Sequence, residues 1–494
     1  MMRFMALTCA AAILAVGPAA HATTRPATTR SASGLAPAQR AAIDRYVVRE
    51  MTRQRIPGLE LGVYRHGRPV LVKGYGLADV EWKVPATGDT LMQSGSVGKQ
   101  FAATALMMLV EEGKVGLDDA IATYFPGAPD SWKAIRVKNL LSHTSGLAEY
   151  EEGDRAKPGG PFDLRLDFTD AELLAKVQAL PIEHAPGDHW DYRNTNYLLL
   201  GLLIEKVTGR FYGDVLHDRI FAPLGMTSTR VISDADIIPK RAHGYEIKGG
   251  ELKNQAYVSR TFNRTADGTL YFTVADLQKW DAALYGERLL KRASLERMWT
   301  PFVMNDGRPN ASGYGFGWMM GEVNGRRTIS HTGSWQGFTT VINRHVDDGL
   351  TVVVLANLDA GHARPDNIER VVAGMIVPAL QPKPRPPIAD DAPAIAETAR
   401  RVLNAAAAGR DVKALMAAEA GYTFLSEDGP ELRASLPAGW DREPMPLLRR
   451  RTSEGVTQSL FRIGPAGARR NLAVQTDAEG RLLSWSVRPD PDAR

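Results

Sequence analysis

The sequence predicts an α+β protein whose first domain has strands near its beginning and its end, with helices in between. Residues 59–64 and 69–75 flank the turn Arg65-His66-Gly67 and predict a β-hairpin. Residues 327–330, 338–344 and 350–357 predict three consecutive antiparallel strands. Segments between these two regions contain helix formers or apolar residues at helical spacing.

The predicted helices follow from local signals. Residues 36–55 have apolar residues at helical spacing and end before Pro57-Gly58, which stops a helix. Residues 101–110 contain helix formers and neither Pro nor Gly. Gly116-Leu117-Asp118-Asp119 predicts the start of a short helix that reaches Tyr124. The other predicted helices cover residues 170–180, 198–207, 274–284 and 368–380.

The N-terminus predicts export. Met1-Met2-Arg3 carries one positive charge, residues 4–16 are apolar, and Ala20-His21-Ala22 offers a small-residue cleavage site. This arrangement is typical of a secretory signal peptide cut after Ala22. The apolar run is too short to span a membrane, so no stable membrane insertion is expected after the signal is removed. We therefore expect a periplasmic or secreted bacterial protein.

Cysteine usage and charge exclude several function classes. The only cysteine, Cys9, lies in the predicted signal peptide, so the mature chain has no disulfide, cysteine zinc site or catalytic thiol. The net charge of +4 is small for 494 residues and the basic residues are scattered, so no nucleic-acid partner is expected. Arg449-Arg450-Arg451 is interpreted as a solvated strand edge.

Composition divides the chain into five parts. Residues 1–22 are the signal peptide, and 23–35, rich in Thr, Ser, Ala and Pro, predict a disordered leader. Residues 36–380 form the main domain, and the prolines of 381–388 predict a semi-rigid linker. Residues 389–494 predict a small α+β domain. Its elements are a helix over 393–420 broken at Gly409, strands over 445–451, 457–463, 472–476 and 482–487, and turns at Glu454-Gly455 and Ala478-Glu479-Gly480.

The most informative stretch is Ser96-Val97-Gly98-Lys99, which follows a Gly/Ser turn and precedes a predicted helix. If Ser96 opens the helix, Lys99 lies on the same face, and the hydroxyl touches the amine. A serine beside a base is what nucleophilic catalysis requires, and the N–H groups of a helix start suit a developing oxyanion. The alternative is an N-cap serine with an exposed lysine.

Two further stretches supply groups for the same chemistry. Tyr192 and Asn194 precede a predicted helix. The Tyr192 phenol, if it lies near a lysine, can relay a proton, and the Asn194 amide can donate a hydrogen bond to a substrate oxygen. His331-Thr332-Gly333 is expected at a strand edge, where glycine lets a substrate backbone approach closely. The N–H of Ser334 could complete an oxyanion hole with that of Ser96.

Trp335 either lines the same cleft or packs in the core. His143 and Ser145 lie in a polar turn that can satisfy the histidine locally, and no base is spaced to serve Ser145 as a nucleophile. Both are therefore interpreted as structural.

Together, Ser-x-x-Lys at 96–99, Tyr-x-Asn at 192–194 and His-Thr-Gly at 331–333 resemble the motifs of penicillin-recognising serine hydrolases. Flanking stretches narrow the resemblance to the class C β-lactamase-like branch, which includes D,D-peptidases, D-aminopeptidases and serine esterases. These stretches are Ile56-Pro57-Gly58-Leu59, Gly74-Tyr75-Gly76-Leu77-Ala78-Asp79, Leu140-Leu141-Ser142-His143-Thr144-Ser145-Gly146-Leu147, Tyr197-Leu198-Leu199-Leu200-Gly201 and Pro223-Leu224-Gly225-Met226.

The resemblance covers about residues 36–380. It implies an antiparallel sheet flanked by helices plus an all-helical lobe, with the active site between them. It also implies acyl-enzyme chemistry with Ser96 as nucleophile, Lys99 as its base and Tyr192 as proton relay, and with neither a metal nor an organic cofactor. Asn194, the 331–333 motif, Ser334 and Trp335 would bind the substrate.

Two positions depart from the pattern of the branch. His331 stands where typical β-lactamases of this branch have a lysine whose charge meets the substrate carboxylate, and a histidine is mostly neutral near pH 7. This favours the esterase or peptidase members. Residues 266–271 stand where relatives usually have small residues, so Tyr271 is a candidate for reshaping the pocket.

The expected function is therefore that of an exported serine hydrolase acting through a covalent acyl-enzyme. Its substrate would be an ester, a D-amino-acid amide or peptide, or a peptidoglycan-derived fragment. The alternatives are a β-lactamase, against which His331 counts, and a non-catalytic cell-wall or penicillin-binding protein that keeps the fold. The sequence has no His-Glu-x-x-His zinc helix and no Gly-x-Ser-x-Gly elbow, so metallohydrolase and α/β-hydrolase readings have no support.

Overall fold

The computed structural model describes residues 34–383, 385–410, 412, 416, 436–453, 456–465 and 468–489. The predicted signal peptide, most of the predicted leader and the predicted turn Glu454-Gly455 lie outside the described residues. The predicted C-terminal helix is described only as far as residue 410, apart from two single positions.

The described helices are α1 (Pro37–Gln54), α2 (Lys99–Glu111), α3 (Val137–Leu141), α4 (Asp170–Gln178), α5 (Asn194–Thr208), α6 (Tyr212–Leu216), α7 (Ala222–Leu224), α8 (Val274–Ala283), α9 (Arg292–Met298), α10 (Pro365–Ile376) and α11 (Pro393–Ala407). The described strands are β1 (Gly58–Arg65), β2 (Arg68–Asp79), β3 (Val84–Pro85), β4 (Met92–Gln93), β5 (Arg230–Val231), β6 (Tyr245–Lys248), β7 (Glu251–Asn254), β8 (Leu270–Phe272), β9 (Met319–Val323), β10 (Arg326–Trp335), β11 (Phe338–His345), β12 (Leu350–Ala356), β13 (Leu447–Ser453), β14 (Val456–Ile463), β15 (Arg470–Thr476) and β16 (Leu482–Pro489).

A seven-stranded antiparallel sheet forms the frame of the protein, in the order β3-β2-β1-β12-β11-β10-β9. The hairpin β1–β2 joins the later strands through β12, with Leu61 opposite Val354. Strands β1 and β12 are buried along nearly their whole length. This burial agrees with the nearly continuous apolar sequence of β12, which is the pattern of a strand covered on both faces, whereas β1 also buries Glu60.

Helices cover both faces of this sheet. On one face, Val47 of α1 and Val372 of α10 belong to the same buried cluster. On the other face, Phe101 of α2 packs against Trp280 of α8 with ring centroids 4.4 Å apart. Nearly all of α2 is buried, which accounts for its mostly apolar sequence after Gln100.

A helical lobe lies between β4 and β5 in the chain, where α3, α4 and α6 all contact α5. The α+β architecture expected from the resemblance, with an antiparallel sheet and an all-helical lobe, is therefore confirmed. In the C-terminal part, α11 packs against the four-stranded sheet β13-β14-β15-β16, and its core includes Val402, Phe461 and Leu472. The predicted domain boundaries stay a prediction.

Local predictions differ from the structure at four places. The predicted helix that reaches Tyr124 is only a 3₁₀ turn, Ile121–Thr123, and residues 137–141 form the short helix α3. The 331–333 motif lies inside β10 rather than at its edge. Helix α5 begins at Asn194, four residues earlier than predicted, because the distant Glu149 carboxylate accepts the Asn194 N–H.

Candidate active site

The side chains of Ser96 and Lys99 contact each other as the spacing predicts, although the backbone between them is a 3₁₀ turn rather than an α-helix. Ser96 lies in a 3₁₀ turn, Gly95–Gly98, that continues into α2 at Lys99. With three residues per turn, side chains three apart still share a face. Lys99 Nζ is 2.9 Å from Ser96 Oγ. Lys99 is fully buried, whereas Ser96 is half-buried, so the hydroxyl is the accessible end of the pair.

Two further acceptors surround the Lys99 amine. Its Nζ donates to Asn194 Oδ1 at 2.8 Å and to the carbonyl oxygen of Asp267. Both acceptors lie more than ninety residues from Lys99 in the sequence. A neutral amine that keeps these two hydrogen bonds has its remaining lone pair directed at Ser96, which is the orientation a general base needs.

Tyr192 packs beside this pair, with Lys99 Nζ 5.0 Å from the centre of its ring. Its hydroxyl is buried near Lys99 and Ser96 but makes no hydrogen bond of ordinary geometry within the described part of the chain. Burial raises the pKa of Tyr192, and the charge of Lys99 only partly opposes this. The phenol is therefore neutral before substrate binds and can act as a proton donor.

Backbone amides approach one another closely on the other side of Ser96. A Cβ added to Gly95 would lie 2.3 Å from the Ser334 nitrogen, and one added to Gly333 would lie 2.8 Å from the Ser96 nitrogen. Only glycine fits at these contacts between the 3₁₀ turn and β10. The predicted pair of amide donors, Ser96 and Ser334, therefore borders the same narrow gap.

The structure gives His331 an internal role. The ring is 5% exposed, with Nδ1 2.6 Å from the Thr332 carbonyl and Nε2 2.9 Å from the Tyr314 hydroxyl. Since the carbonyl can only accept, Nδ1 carries the proton and Nε2 accepts from Tyr314. Burial, and secondarily the charge of Lys99, lowers the pKa of His331 to about 3. The ring is neutral, and both of its nitrogens are already hydrogen-bonded.

Carboxyl groups that the motifs did not indicate lie at the opposite side of Ser96. Glu151 lines the cleft, and its Oε2 accepts from Asn194 Nδ2 at 3.2 Å. Burial, followed by repulsion from Glu149 and Asp267, raises the pKa of Glu151 to about 8. Burial also raises the pKa of Glu149 to about 7. Neither Glu149 nor Glu151 belongs to a sequence motif, and only the folded chain brings Glu151 into the same cleft as Ser96.

The cleft beside Ser96 is narrow, with a cavity volume of about 30 Å³. It is lined by Gly95, Ser96, Glu151, Asn194, Asp267, Gly268, Thr269, Ser334 and Trp335. Asp267 does not present a free carboxylate there, because it accepts from the Tyr150 hydroxyl at 2.6 Å and from Thr265 at 2.5 Å. Glu151 is therefore the carboxyl in this lining with the fewest internal hydrogen bonds.

The remaining predicted residues divide between the cleft and the interior. Trp335 is half-buried in the cleft and donates to Asn263 Oδ1 at 2.9 Å. Thr332 is exposed on β10. Tyr271 does not enter the cleft lining but packs in a small cluster behind Trp335. Both polar atoms of the Asn194 amide are bonded within the protein, so its predicted donation to a substrate would require a rearrangement.

Ser145 and His143 are buried away from the nucleophile. Ser145 Oγ donates to Asn196 Oδ1 at 2.5 Å and accepts from the Leu147 N–H. His143 lies against Tyr192, with ring centroids 4.1 Å apart. No His, Asp or Glu cluster suited to a metal ion was found within the described ranges. No helix among the same residues is long and apolar enough to cross a membrane.

The fold therefore brings a serine, a lysine and a tyrosine side by side at one cleft. The family described as Beta-lactamase matches residues 43–375, about two thirds of the chain. The chain therefore belongs to the β-lactamase family, and the resemblance drawn from its motifs is confirmed.

Individual relatives agree with this assignment. The chain is 31% identical over 296 residues to penicillin-binding protein 4* of Bacillus subtilis (strain 168), which covers 57% of this chain and 64% of that protein. It is 30% identical over 305 residues to a D-aminopeptidase of Brucella anthropi, covering 62% of this chain and 57% of the relative. Both matches thus span less than two thirds of the relative's length.

A solved structure, the D-amino acid amidase from Ochrobactrum anthropi SV3 with L-phenylalanine amide, superposes with a TM-score of 0.58 at 25% identity. The match covers 69% of this chain and 98% of the amidase. Penicillin-binding proteins and D-amino-acid hydrolases are therefore both among the proteins that this chain resembles.

Proposed function

We propose that this protein is an exported hydrolase that cleaves D-aminoacyl amides or short peptides with a free α-amino group, through an acyl-enzyme on Ser96. The observation that carries the substrate class is Glu151, a carboxyl in the same small cleft as the nucleophile. Ester cleavage by the same centre is a secondary activity of this proposal, because an ester presents the same carbonyl to Ser96.

Acylation begins with the Ser96–Lys99 pair. Neutral Lys99 takes the Ser96 proton while its two other hydrogen bonds, to Asn194 and the Asp267 carbonyl, keep the amine in place. Ser96 Oγ bonds to the substrate carbonyl carbon, and the carbonyl oxygen becomes an oxyanion beside the Ser96 and Ser334 amides.

Expulsion of the amine requires a proton on the leaving nitrogen. Tyr192 supplies it, and the proton held by Lys99 replaces the one that Tyr192 loses. The C–N bond breaks as the carbonyl re-forms, which leaves the acyl group on Ser96. Water then attacks the ester with the same groups in reverse roles, and the acid and free enzyme are released.

The carboxyl groups in and beside the cleft favour a cationic substrate. Burial raises the pKa of Glu149 to about 7, and burial with repulsion from Glu149 raises the pKa of Glu151 to about 8, so Glu151 is mostly protonated near pH 7 in the empty site. A substrate ammonium next to Glu151 stabilises the ionised carboxylate and gains an ion pair in a half-buried site. The D configuration is supported by the names of two relatives, a D-aminopeptidase and a D-amino acid amidase.

The same charges act against β-lactams. Penicillins and cephalosporins carry a carboxylate, which needs a cation in the binding cleft. Here His331 is buried and neutral, and Glu151, another group in the cleft lining, can never carry a positive charge that would pair with an anion. Slow acylation by a penicillin at high concentration remains compatible with the proposal, whereas efficient turnover does not.

Export is supported by the N-terminal sequence alone, in which a basic start, an apolar run and Ala20-His21-Ala22 occur in order. Expression of the full chain in a bacterium with N-terminal sequencing of the periplasmic protein tests it. The expected first residue is Thr23. Recovery of uncleaved protein from the cytoplasm alone would contradict export.

Active-site labelling tests the nucleophile. A fluorophosphonate probe should add once per chain, with peptide mapping placing the adduct on Ser96. Ser96→Ala should take up no probe and lose hydrolysis, whereas Ser145→Ala, which removes the other candidate serine, should be labelled like the wild type. A wild type without adduct, together with unchanged hydrolysis by Ser96→Ala, would refute the proposal.

A substrate panel tests the specificity. D-alanine p-nitroanilide should be cleaved at least about 100-fold more efficiently than its N-acetyl derivative, and faster than the L-isomer. Nitrocefin should be the poorest substrate. Equal rates with and without the free amino group would overturn the role of Glu151. A stoichiometric penicillin adduct without turnover of any substrate would favour the non-catalytic alternative.

A further inference from the structure

His143 lies next to Tyr192 but comes from a distant part of the chain, the turn after α3. It is fully buried, and its backbone φ is 59°, in the left-handed region that most residues avoid. A residue held in that conformation needs compensating contacts from its surroundings. Those contacts come from the residues on either side of Tyr192.

Two backbone hydrogen bonds to His143 bracket Tyr192. The Asp191 N–H donates to the His143 carbonyl oxygen at 2.9 Å, and the Arg193 N–H donates to His143 Nδ1 at 3.2 Å. Asn196 Nδ2 lies 3.3 Å from the same nitrogen. Because Nδ1 accepts from a backbone N–H, the ring proton is on Nε2. His143 therefore fixes the chain immediately before and immediately after Tyr192.

The imidazole also supports the phenol directly. The His143 and Tyr192 rings are inclined by 31°, and Tyr314 meets His143 edge-on with centroids 4.8 Å apart. Burial lowers the pKa of His143 well below its usual range, and the nearby Lys99 amine contributes. The ring is neutral, so it places no second cation beside the catalytic lysine.

Tyr192 lacks a comparable anchor at its own hydroxyl, which makes no hydrogen bond of ordinary geometry within the described residues. Its orientation therefore depends on its backbone and on the packing of its ring. We propose that His143 is a positioning residue that holds Tyr192 where it can deliver a proton to the leaving group. This inference rests on the proposed function, in which Tyr192 makes that transfer.

Leaving groups of different basicity separate positioning from general structural support. An amide nitrogen must gain a proton to leave, whereas p-nitrophenolate leaves without one. We therefore compare kcat/KM for D-alanine amide with that for D-alanine p-nitrophenyl ester, which share an acyl group. His143→Ala should lower the value for the amide about 100-fold and that for the ester less than about 5-fold, with KM for the amide nearly unchanged.

His143→Asn provides the conservative variant. Asn tolerates a left-handed backbone, and its side-chain oxygen can accept from the Arg193 N–H. We expect it to recover amide cleavage to within about 10-fold of the wild type. If His143→Ala does not fold, His143→Asn still tests the inference, because loss of the stacked ring should lower the amide-to-ester ratio by several-fold.

His345→Asn is the matched control. His345 is also a buried histidine, but it bonds to Glu369 at 2.7 Å between β11 and α10. The His345→Asn variant should change kcat/KM for both substrates by the same factor. The inference would be overturned if the His143 variants lost kcat/KM equally for the amide and the ester. It would also be overturned if His345→Asn shifted the amide-to-ester ratio of kcat/KM as far as they do. A wild-type Ser96 that takes no fluorophosphonate contradicts the proposed function itself, whereas a labelled Ser96 with an unchanged ratio contradicts only the role of His143.

Discussion

Replacing Glu151 by Gln removes a charge from the cleft while keeping a side-chain oxygen that can accept from Asn194. An ammonium and a carboxylate about 4 Å apart interact by roughly 4 kcal/mol at an effective dielectric constant of ~20. Desolvation of the ammonium cancels part of this gain. We expect a net loss of about 2–3 kcal/mol in transition-state stabilisation, which is roughly a 30–150-fold lower kcat/KM.

Steady-state kinetics with D-alanine p-nitroanilide and its N-acetyl derivative measure this loss. Glu151→Gln should impair only the substrate with the free amino group. Glu152→Gln is the matched control, since Glu152 is adjacent in sequence but pairs with Arg155 and Arg193 outside the cleft lining. An equal loss with both substrates, or unchanged kinetics with the free amine, would refute the assignment of Glu151.

The pH profile gives the same test an independent readout. A carboxyl whose pKa is raised to about 8 is neutral below that pH and cannot attract an ammonium. The wild-type kcat/KM for the amine substrate should therefore rise from pH 6 towards pH 8, and then fall as the substrate amine itself loses its proton. Glu151→Gln should lose the rising limb. A rising limb that persists in the variant would assign it to another group.

Four further outcomes follow from the structure. Gly268→Ala would place a Cβ 2.6 Å from the Gly95 carbonyl carbon, so the backbone beside Ser96 must shift. We expect kcat/KM to fall about 100-fold and the melting temperature to fall as well, as activity and calorimetry on one sample will show. Asp281→Asn leaves the buried Arg344 guanidinium, 2.9 Å from the Asp281 carboxylate, without its counter-ion, and should lower the free energy of unfolding by about 3–5 kcal/mol in denaturant titrations. The pKa of Glu151 is higher in the folded than in the unfolded state. The stability that proton binding by Glu151 contributes is therefore complete below about pH 4 and is lost as the pH rises through about 8. The unfolding free energy of Glu151→Gln should accordingly fall less between pH 5 and pH 9 than that of the wild type. Binding of D-alanine amide to Ser96→Ala at pH 7 should release protons, because the ammonium lowers the pKa of Glu151, and calorimetry in buffers of different ionisation enthalpy should detect the release.

Sequence reasoning succeeded where the chemistry is local. Ser96 and Lys99 are three residues apart, so any helical turn brings them together. Strand β12 was recognisable because burial on both faces leaves a nearly continuous apolar run, and the β1–β2 hairpin from the turn residues between its strands. The C-terminal strands were recognisable from short runs between turn residues.

Prediction from the sequence failed where the local structure depends on a residue that is distant in the sequence. The first turn of α5 is stabilised by Glu149, which is 45 residues away, so no local cap revealed that the helix begins at Asn194. His331 looked available to a substrate because the Tyr314 hydroxyl that occupies its Nε2 is not adjacent in the motif. Glu151 had no motif at all, and only the folded chain brings it to Ser96.

These long-range contacts also explain how the same catalytic centre can serve a different substrate. Lys99 is the basic side chain beside Ser96, and the carboxyl groups of Glu149, Glu151 and Asp267 lie around it. The histidine of the third motif adds no charge, because burial keeps it neutral. In the proposed mechanism Ser96 and Lys99 supply the acyl-transfer chemistry, and the groups around them select the substrate. Because a cleft with excess carboxyl groups stabilises a cation, we expect substrates with an ammonium group to be preferred over those with a carboxylate.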